Sequence, residues 1–135
     1  MTTETWEGEE YETDLTTIFK QCSTDSDNWF GEEVSHSLAH HVLALCGESG
    51  ELANLVKKVQ RGSLEMNAET RFKMVMEATD VFIYVMNIFA CLQYHPAYAY
   101  KVKTEENHAR FDRPDGGVRT APPESMDQGG NGIRG

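Results

Sequence analysis

Apolar residues return every three or four positions through two long stretches of this chain, and that period leaves few folds open. From about Glu33 to Arg61 they fall at Leu38, Val42, Leu45, Leu52, Val56 and Val59, with only Ser49 breaking the series. From Asn67 to about Tyr94 they fall at Phe72, Val75, Phe82, Val85, Phe89 and Leu92. Residues so spaced share one face of an α-helix, so both stretches are predicted to be helices that bury a seam against each other. Stop signals bracket them. Gly62 closes the first, with Lys57, Lys58 and Arg61 in its last turns where cations suit the helix dipole. Asn67 is a good N-cap for the second, and His95-Pro96 ends it, placing Pro96 near the start of a third, shorter and more polar helix from about Ala97 to Ala109. A short helix is expected from about Tyr11 to Gln21, a loop over residues 23–28, and a flexible arm after Phe111, where Pro114, Gly116, Gly117, Pro122 and Pro123 crowd together. The expected fold is therefore an all-α helical bundle. Its organisation is an acidic N-terminal segment (1–28), a helical domain (29–111) and a Gly/Pro-rich tail (112–135). Gly47 and Gly50 lie inside the first long helix, where each costs up to about 1 kcal/mol against alanine, so another backbone or a ligand is expected to approach closely there.

Two acid pairs stand on these helices, Glu48-x-x-Glu51 and Glu77-x-x-Asp80. Residues three apart on a helix are neighbours at about 5–6 Å, so each pair points two carboxylates the same way. Carboxylates brought that close repel unless a divalent cation joins them. Glu77, Asp80, Tyr84 and Asn87 continue as one stripe beside the apolar seam, and His41, Glu48, Glu51 and Lys58 form a parallel series on the first helix. If the two helices pack antiparallel across the short connection, both stripes face one groove. An all-oxygen donor set of this kind suits Mg²⁺ or Mn²⁺, ions that commonly carry substrate phosphates. A charged helix often shows one Glu-x-x-Glu as a solvated face. Glu77 and Asp80, however, sit between Met74, Val75, Met76 and Val81, Phe82, Ile83, which leaves little room for a merely solvated surface.

The balance of charge narrows the partners. The 135-residue chain has a formal net charge of −10, and ten of its acids fall in residues 1–35 against the single Lys20. Binding duplex nucleic acid needs a basic face with many phosphate contacts, which such a chain does not offer. Cys22, Cys46 and Cys91 are odd in number and form no Cys-x-x-Cys pair, so neither a disulfide framework nor a thiolate zinc site is suggested. No run approaches the roughly 18 unbroken apolar residues of a membrane span, and the acidic start is unlike a signal peptide, so a soluble cytoplasmic protein is expected.

The stretches His41-Val-Leu-Ala-Leu-Cys-Gly-Glu-Ser-Gly-Glu-Leu-Ala-Asn-Leu-Val-Lys-Lys58 and Glu77-Ala-Thr-Asp-Val-Phe-Ile-Tyr-Val-Met-Asn87 resemble the motifs of the all-α nucleoside triphosphate pyrophosphohydrolases, in particular small MazG-like proteins of phage and bacterial type. The resemblance covers roughly residues 29–111. It implies that Glu48, Glu51, Glu77 and Asp80 hold Mg²⁺, with Mn²⁺ able to substitute, and that Tyr84 and Asn87 shape a nucleoside pocket. It also implies a homodimer or homotetramer converting a (d)NTP and water into (d)NMP and pyrophosphate, for nucleotide-pool control. Glu51 is the chosen general base. Lys57, Lys58, Arg61, Lys73 and Arg110 are candidates for gripping phosphates, Trp29 for stacking on the base, and His41 for a further substrate contact. The chain departs from many relatives in carrying Met76 where a further acid precedes the second motif. It also departs after the last helix, where it reads Asn107-His-Ala-Arg110-Phe111 rather than a tighter Lys/Arg pattern.

Two rival readings remain from the residues themselves. Glu33-x-x-His36 and Glu105-x-x-His108 formally match halves of a carboxylate-bridged di-iron site in a four-helix bundle. A non-catalytic helical oligomerisation module would explain the apolar seams but not the acid stripes. Asp25-x-Asp27 opens like a calcium loop, but the template fails at Phe30 and His36, and the tail has no P-loop.

Overall fold

The computed structural model describes residues 14–112, and no strand occurs among them. Five helices follow in order: α1 (Leu15–Phe30), α2 (Glu32–Ser35), α3 (Leu38–Gln60), α4 (Ala68–Cys91) and α5 (Pro96–Phe111). The all-α expectation holds. The N-terminal segment before Asp14 and the tail after Asp112 lie outside the described residues, and with them the start of the first expected helix and the flexible arm.

Each helix boundary has a local chemical cause. Asp14 caps α1: its Oδ1 accepts from the Thr17 N–H at 2.7 Å, and that bond holds the Asp14 carboxyl below its ordinary range. α1 then runs through residues 23–28, which the sequence reads as a loop. The polar string Ser-Thr-Asp-Ser-Asp-Asn hides a helical face, because Cys22 and Ser26, four apart, are both buried in a helix packed on α4. Gly31 ends α1 at φ +79°. The stretch expected to be one helix from about Glu33 is broken at His36 and Ser37, since the Ser37 hydroxyl accepts from the His40 N–H at 3.3 Å and starts α3 afresh.

The hairpin of α3 and α4 is closed by a paired C-terminal motif. Gly62, at φ +77°, donates to the Val59 carbonyl, and Ser63 donates to the Lys58 carbonyl. The Asn67 side chain then caps α4, accepting from the Thr70 N–H at 2.9 Å. α4 ends in the same double bond pattern, Gln93 to Ala90 and Tyr94 to Phe89, but with Gln93 at φ +59°. A side chain in that left-handed conformation costs about 1–2 kcal/mol, which the two bonds offset. His95 caps α5 by accepting from the Ala97 N–H through Nδ1 at 3.2 Å, so Nε2 carries the proton that bridges to the Thr16 hydroxyl, also at 3.2 Å. The ring also packs edge-on against Phe19, tying α1 to the end of α4.

Contacts divide the chain between Ala99 and Tyr100, inside α5. Within the second unit, Lys103 pairs with Glu106 at 3.0 Å, His108 with Asp112 at 2.8 Å, and Arg110 lies over the Phe111 ring at 4.6 Å.

Within the first unit the apolar core is small. Cys22, Met86 and Pro96 are its buried apolar residues among those described, beside the buried polar residues Ser26, Ser35, His41, Thr70 and Asn87. The seams predicted from the sequence are only partly covered. Leu45, Leu52, Val59, Val85 and Phe89 are half-buried, while Val42, Val56, Phe72, Val75, Phe82 and Leu92 are exposed. α4 is apolar on more than one face, and α3 and α1 together leave part of that surface uncovered.

Candidate metal centre

The acid pairs meet because α3 and α4 run antiparallel. Following α3 from His41 through Glu48 to Glu51, the facing groups on α4 step back from Tyr84 through Asp80 to Glu77. One carboxylate oxygen each from Glu48, Glu51 and Glu77 lies within 4.8 Å of the others. Asp80 is close enough to add to the field at Glu48. Glu48, Glu77 and Asp80 are half-buried and Glu51 is exposed. Partial burial, then the charges of Glu51, Asp80 and Glu77, push the Glu48 carboxyl above its ordinary value of 4.5. Burial first, then Glu48 and Asp80, likewise pushes up the Tyr84 hydroxyl, which places that phenol beside the acids.

The donor set fits a small hard cation. Around an octahedral Mg²⁺ with ~2.1 Å bonds, neighbouring oxygens stand about 3.0 Å apart and opposite ones about 4.2 Å, so the trio, whose members lie within 4.8 Å of one another, would draw in by about an ångström to close on an ion. Among the described residues these three form the group able to converge in this way, and neither Glu-x-x-His pair enters one. His36 is exposed and lies 3.5 Å from Asp27, and His108 is exposed and paired with Asp112. The di-iron alternative therefore finds no support in the geometry. Asp25 and Asp27 lie inside α1, with no calcium loop.

A raised Glu48 value has a consequence with a definite sign. The folded chain binds that proton more tightly than the unfolded chain, so its contribution to stability is present in acid and is lost as pH rises from about 4.5 through the raised value. Thermal unfolding of metal-free protein should show this downward slope with rising pH, and Glu48→Gln should lack it. Identical slopes in the two proteins would mean that the acids do not crowd one another.

The remaining candidates sort by position. A groove between α1 and α4 is lined by Asp25, Ser26 and Trp29 on one side and Asp80, Tyr84 and Asn87 on the other, so it opens onto the acids. Trp29 is 69% exposed at its edge, whereas Asn87 is buried. His41 is 0% exposed, its Nε2 donating to the Ser35 carbonyl at 2.7 Å, and its ring meets Tyr84 at 6.1 Å between centroids. It thus supports the site from behind rather than from its surface. Lys57, Lys58 and Arg61 stand at the hairpin end of α3, roughly 9–15 Å along the helix from Glu51. Arg61 Nε is engaged with the Ser63 hydroxyl at 3.0 Å, and Lys73 with Glu69 at 2.7 Å. Arg110 belongs to the second unit. The α1 wall of the groove, Asp25 and Ser26 above all, is what sequence reasoning missed. The signal was present in the Cys22–Ser26 step of four, masked by its polarity.

Gly47 and Gly50 show no close approach: a Cβ built at either would meet nothing within 4 Å. The chain alone gives no reason for them. α4 is long and apolar enough, by length and composition, to cross a membrane. Glu77 and Asp80 at its middle would be costly in lipid.

No family model and no curated protein matches the sequence.

Proposed function

We propose that this protein is a Mg²⁺-dependent nucleoside triphosphate pyrophosphohydrolase, as the MazG-like resemblance implies, acting on a (d)NTP in the service of nucleotide-pool control. The observation that carries the reading is the convergence of Glu48, Glu51 and Glu77 from two helices within 4.8 Å, with Asp80 beside them and a groove leading away. Bound Mg²⁺ would neutralise phosphate oxygens and make a water more acidic. Glu51, the exposed member of the trio, is open to solvent and is assigned the proton of the attacking water. The water oxygen bonds to the α-phosphorus, the bond from that phosphorus to the bridging oxygen breaks, and pyrophosphate leaves carrying the displaced electron pair. Lys57 and Lys58, without side-chain partners of the kind that hold Lys73, are the better placed to meet the charge developing on it. Tyr84 and Asn87 line the same groove as Asp80 and would shape the nucleoside pocket. Pyrophosphate release from a panel of NTPs and dNTPs with Mg²⁺ or Mn²⁺ tests the reading. Turnover of none would return the chain to the class of helical interaction modules.

The same reading includes a homodimer or homotetramer in the cytoplasm. Its support is the exposed apolar surface: Leu43 is 73% exposed, Phe72 65% and Val75 58% on helices whose own core is small. Exposed apolar surface of this kind marks an interaction site, and a like copy in a symmetric assembly would cover it. The molar mass in solution should be two or four times 15.2 kDa, and a monomer at micromolar concentration would refute this part.

A further inference from the structure

The uncovered seam of α4 is long, uncharged and regular. Ala68, Phe72, Val75, Thr79, Phe82 and Met86 follow in steps of four and three, so they share one line along the helix, on the side away from Glu77 and α3. Met86 is buried, whereas Phe72, Val75 and Phe82 are 65%, 58% and 38% exposed, so the open part is the N-terminal half. Its one hydroxyl is turned onto the helix, Thr79 Oγ1 donating to the Val75 carbonyl at 2.8 Å, and needs no water. With Met76 alongside at 45% exposed, these side chains offer about 400 Å² of surface, taking aromatic side chains at about 200 Å² each. Two such faces together cover about 800 Å² from these side chains alone, and flanking residues bring the total into the roughly 1,200–2,000 Å² that specific interfaces bury. The outer line of α3, Ala39, Leu43, Cys46, Gly50 and Ala53, has one large apolar side chain and offers less.

Charge says what covers this face and which way round. The Thr16 hydroxyl bridges to His95 at 3.2 Å and Phe19 packs on the same ring, so the start of α1 lies at the C-terminal end of α4. Residues 1–14, which lead into that point, carry six acids and no base. At the opposite end, around the hairpin bend, Lys57, Lys58, Arg61, Arg71 and Lys73 stand against only Glu65 and Glu69. Two copies laid parallel along α4 would bring like ends together, whereas two laid antiparallel bring the acidic end of each onto the basic end of the other. We propose that the Phe72–Phe82 face of α4 is the contact with a second copy of this chain, set antiparallel across a two-fold axis beside residue 77. That axis sets Phe72 against the partner's Phe82 and Val75 against the partner's Thr79, and the two helix pairs make a four-helix bundle. Cys91 then lies about 21 Å from the axis, level with the partner's hairpin bend. The proposal rests on the assembly part of the reading above, whose partner and face it names, and not on the hydrolase part.

Sedimentation of the full chain, with cross-linking, tests this. Val75→Arg and, separately, Thr79→Arg should each weaken self-association by about a hundred-fold with helix content unchanged by circular dichroism, while Leu43→Arg on α3 should leave at least the dimer. A zero-length amine-to-carboxyl cross-linker applied to mixed isotope-labelled and unlabelled protein should join Asp14, or an acid before it, to Lys57 or Lys58 of the other isotope. A parent that stays monomeric at micromolar concentration would hand the face to a different partner and overturn the proposal. So would a dimer that survives both α4 variants, or mixed-isotope links that join Glu65 or Glu69 to Lys57 or Lys58 in place of those from the acidic end. Pyrophosphate release measured on the same samples separates the claims. An active monomer would remove the interface and keep the enzyme, and an inactive dimer broken by Val75→Arg would do the reverse.

Discussion

Glu48→Gln and Asp80→Asn should each lower Mg²⁺-dependent pyrophosphate release by about a thousand-fold, or ~4 kcal/mol of transition-state stabilisation, while the helical content stays intact. Each change removes a negative oxygen from a cluster whose only use, on the reading above, is to hold a cation against phosphate. The opposite sign expected for stability makes the experiment decisive. Partial burial of Glu48, and then the charges of Glu51, Asp80 and Glu77, disfavour its ionised form, so metal-free Glu48→Gln should melt no lower than the parent near neutral pH. Added Mg²⁺ should raise the parent's melting temperature, with an increment of about 2.7 kcal/mol at a hundred-fold excess over Kd, and should leave the variant nearly unmoved. Full activity in either variant would dismiss the metal site. A large drop in metal-free stability would instead make these acids structural.

His41→Ala should cost about 2–4 kcal/mol of folding free energy, read from urea unfolding of the metal-free protein. The imidazole is wholly buried, its removal leaves a void in a core with few apolar members, and the Ser35 carbonyl loses its 2.7 Å donor. Cys91 also points its thiol at that carbonyl, at 3.5 Å, and is too weak a donor to compensate. Because the carbonyl only accepts, Nε2 carries the proton. His41→Phe keeps the volume and loses the bond, so it should fall between the parent and the alanine variant. A loss under about 0.5 kcal/mol for alanine would mean that the junction of α2 and α3 does not depend on this residue.

Much of this architecture was legible because it is carried by punctuation with one meaning. Gly62, Asn67 and Pro96 each end or begin a helix for a reason visible in the residue itself, and the observed boundaries fall within a few positions of those signals. The level placement of the two acid pairs followed from their spacing and a short connection. What stayed hidden was tertiary. Residues 23–28 carry poor helix formers, yet packing against α4 holds them helical, and no local rule reveals that Ser26 is a buried residue. Ser37 could have been read as an N-cap, but the apolar period runs through it and obscured the break between α2 and α3. His41, assigned a substrate contact by resemblance, is sealed inside.

The closed hairpin turn at residues 61–67 separates two kinds of tolerance. A few residues added to that connection would lengthen a surface loop, and each doubling of its length costs only about 0.6 kcal/mol. One residue added within α4 ahead of Glu77 would instead rotate Glu77 and Asp80 by about 100° about the helix axis, carrying both away from Glu48 and Glu51. Natural drift in such a chain is therefore free to alter the bend but confined, along the two rods, to changes that conserve angular phase.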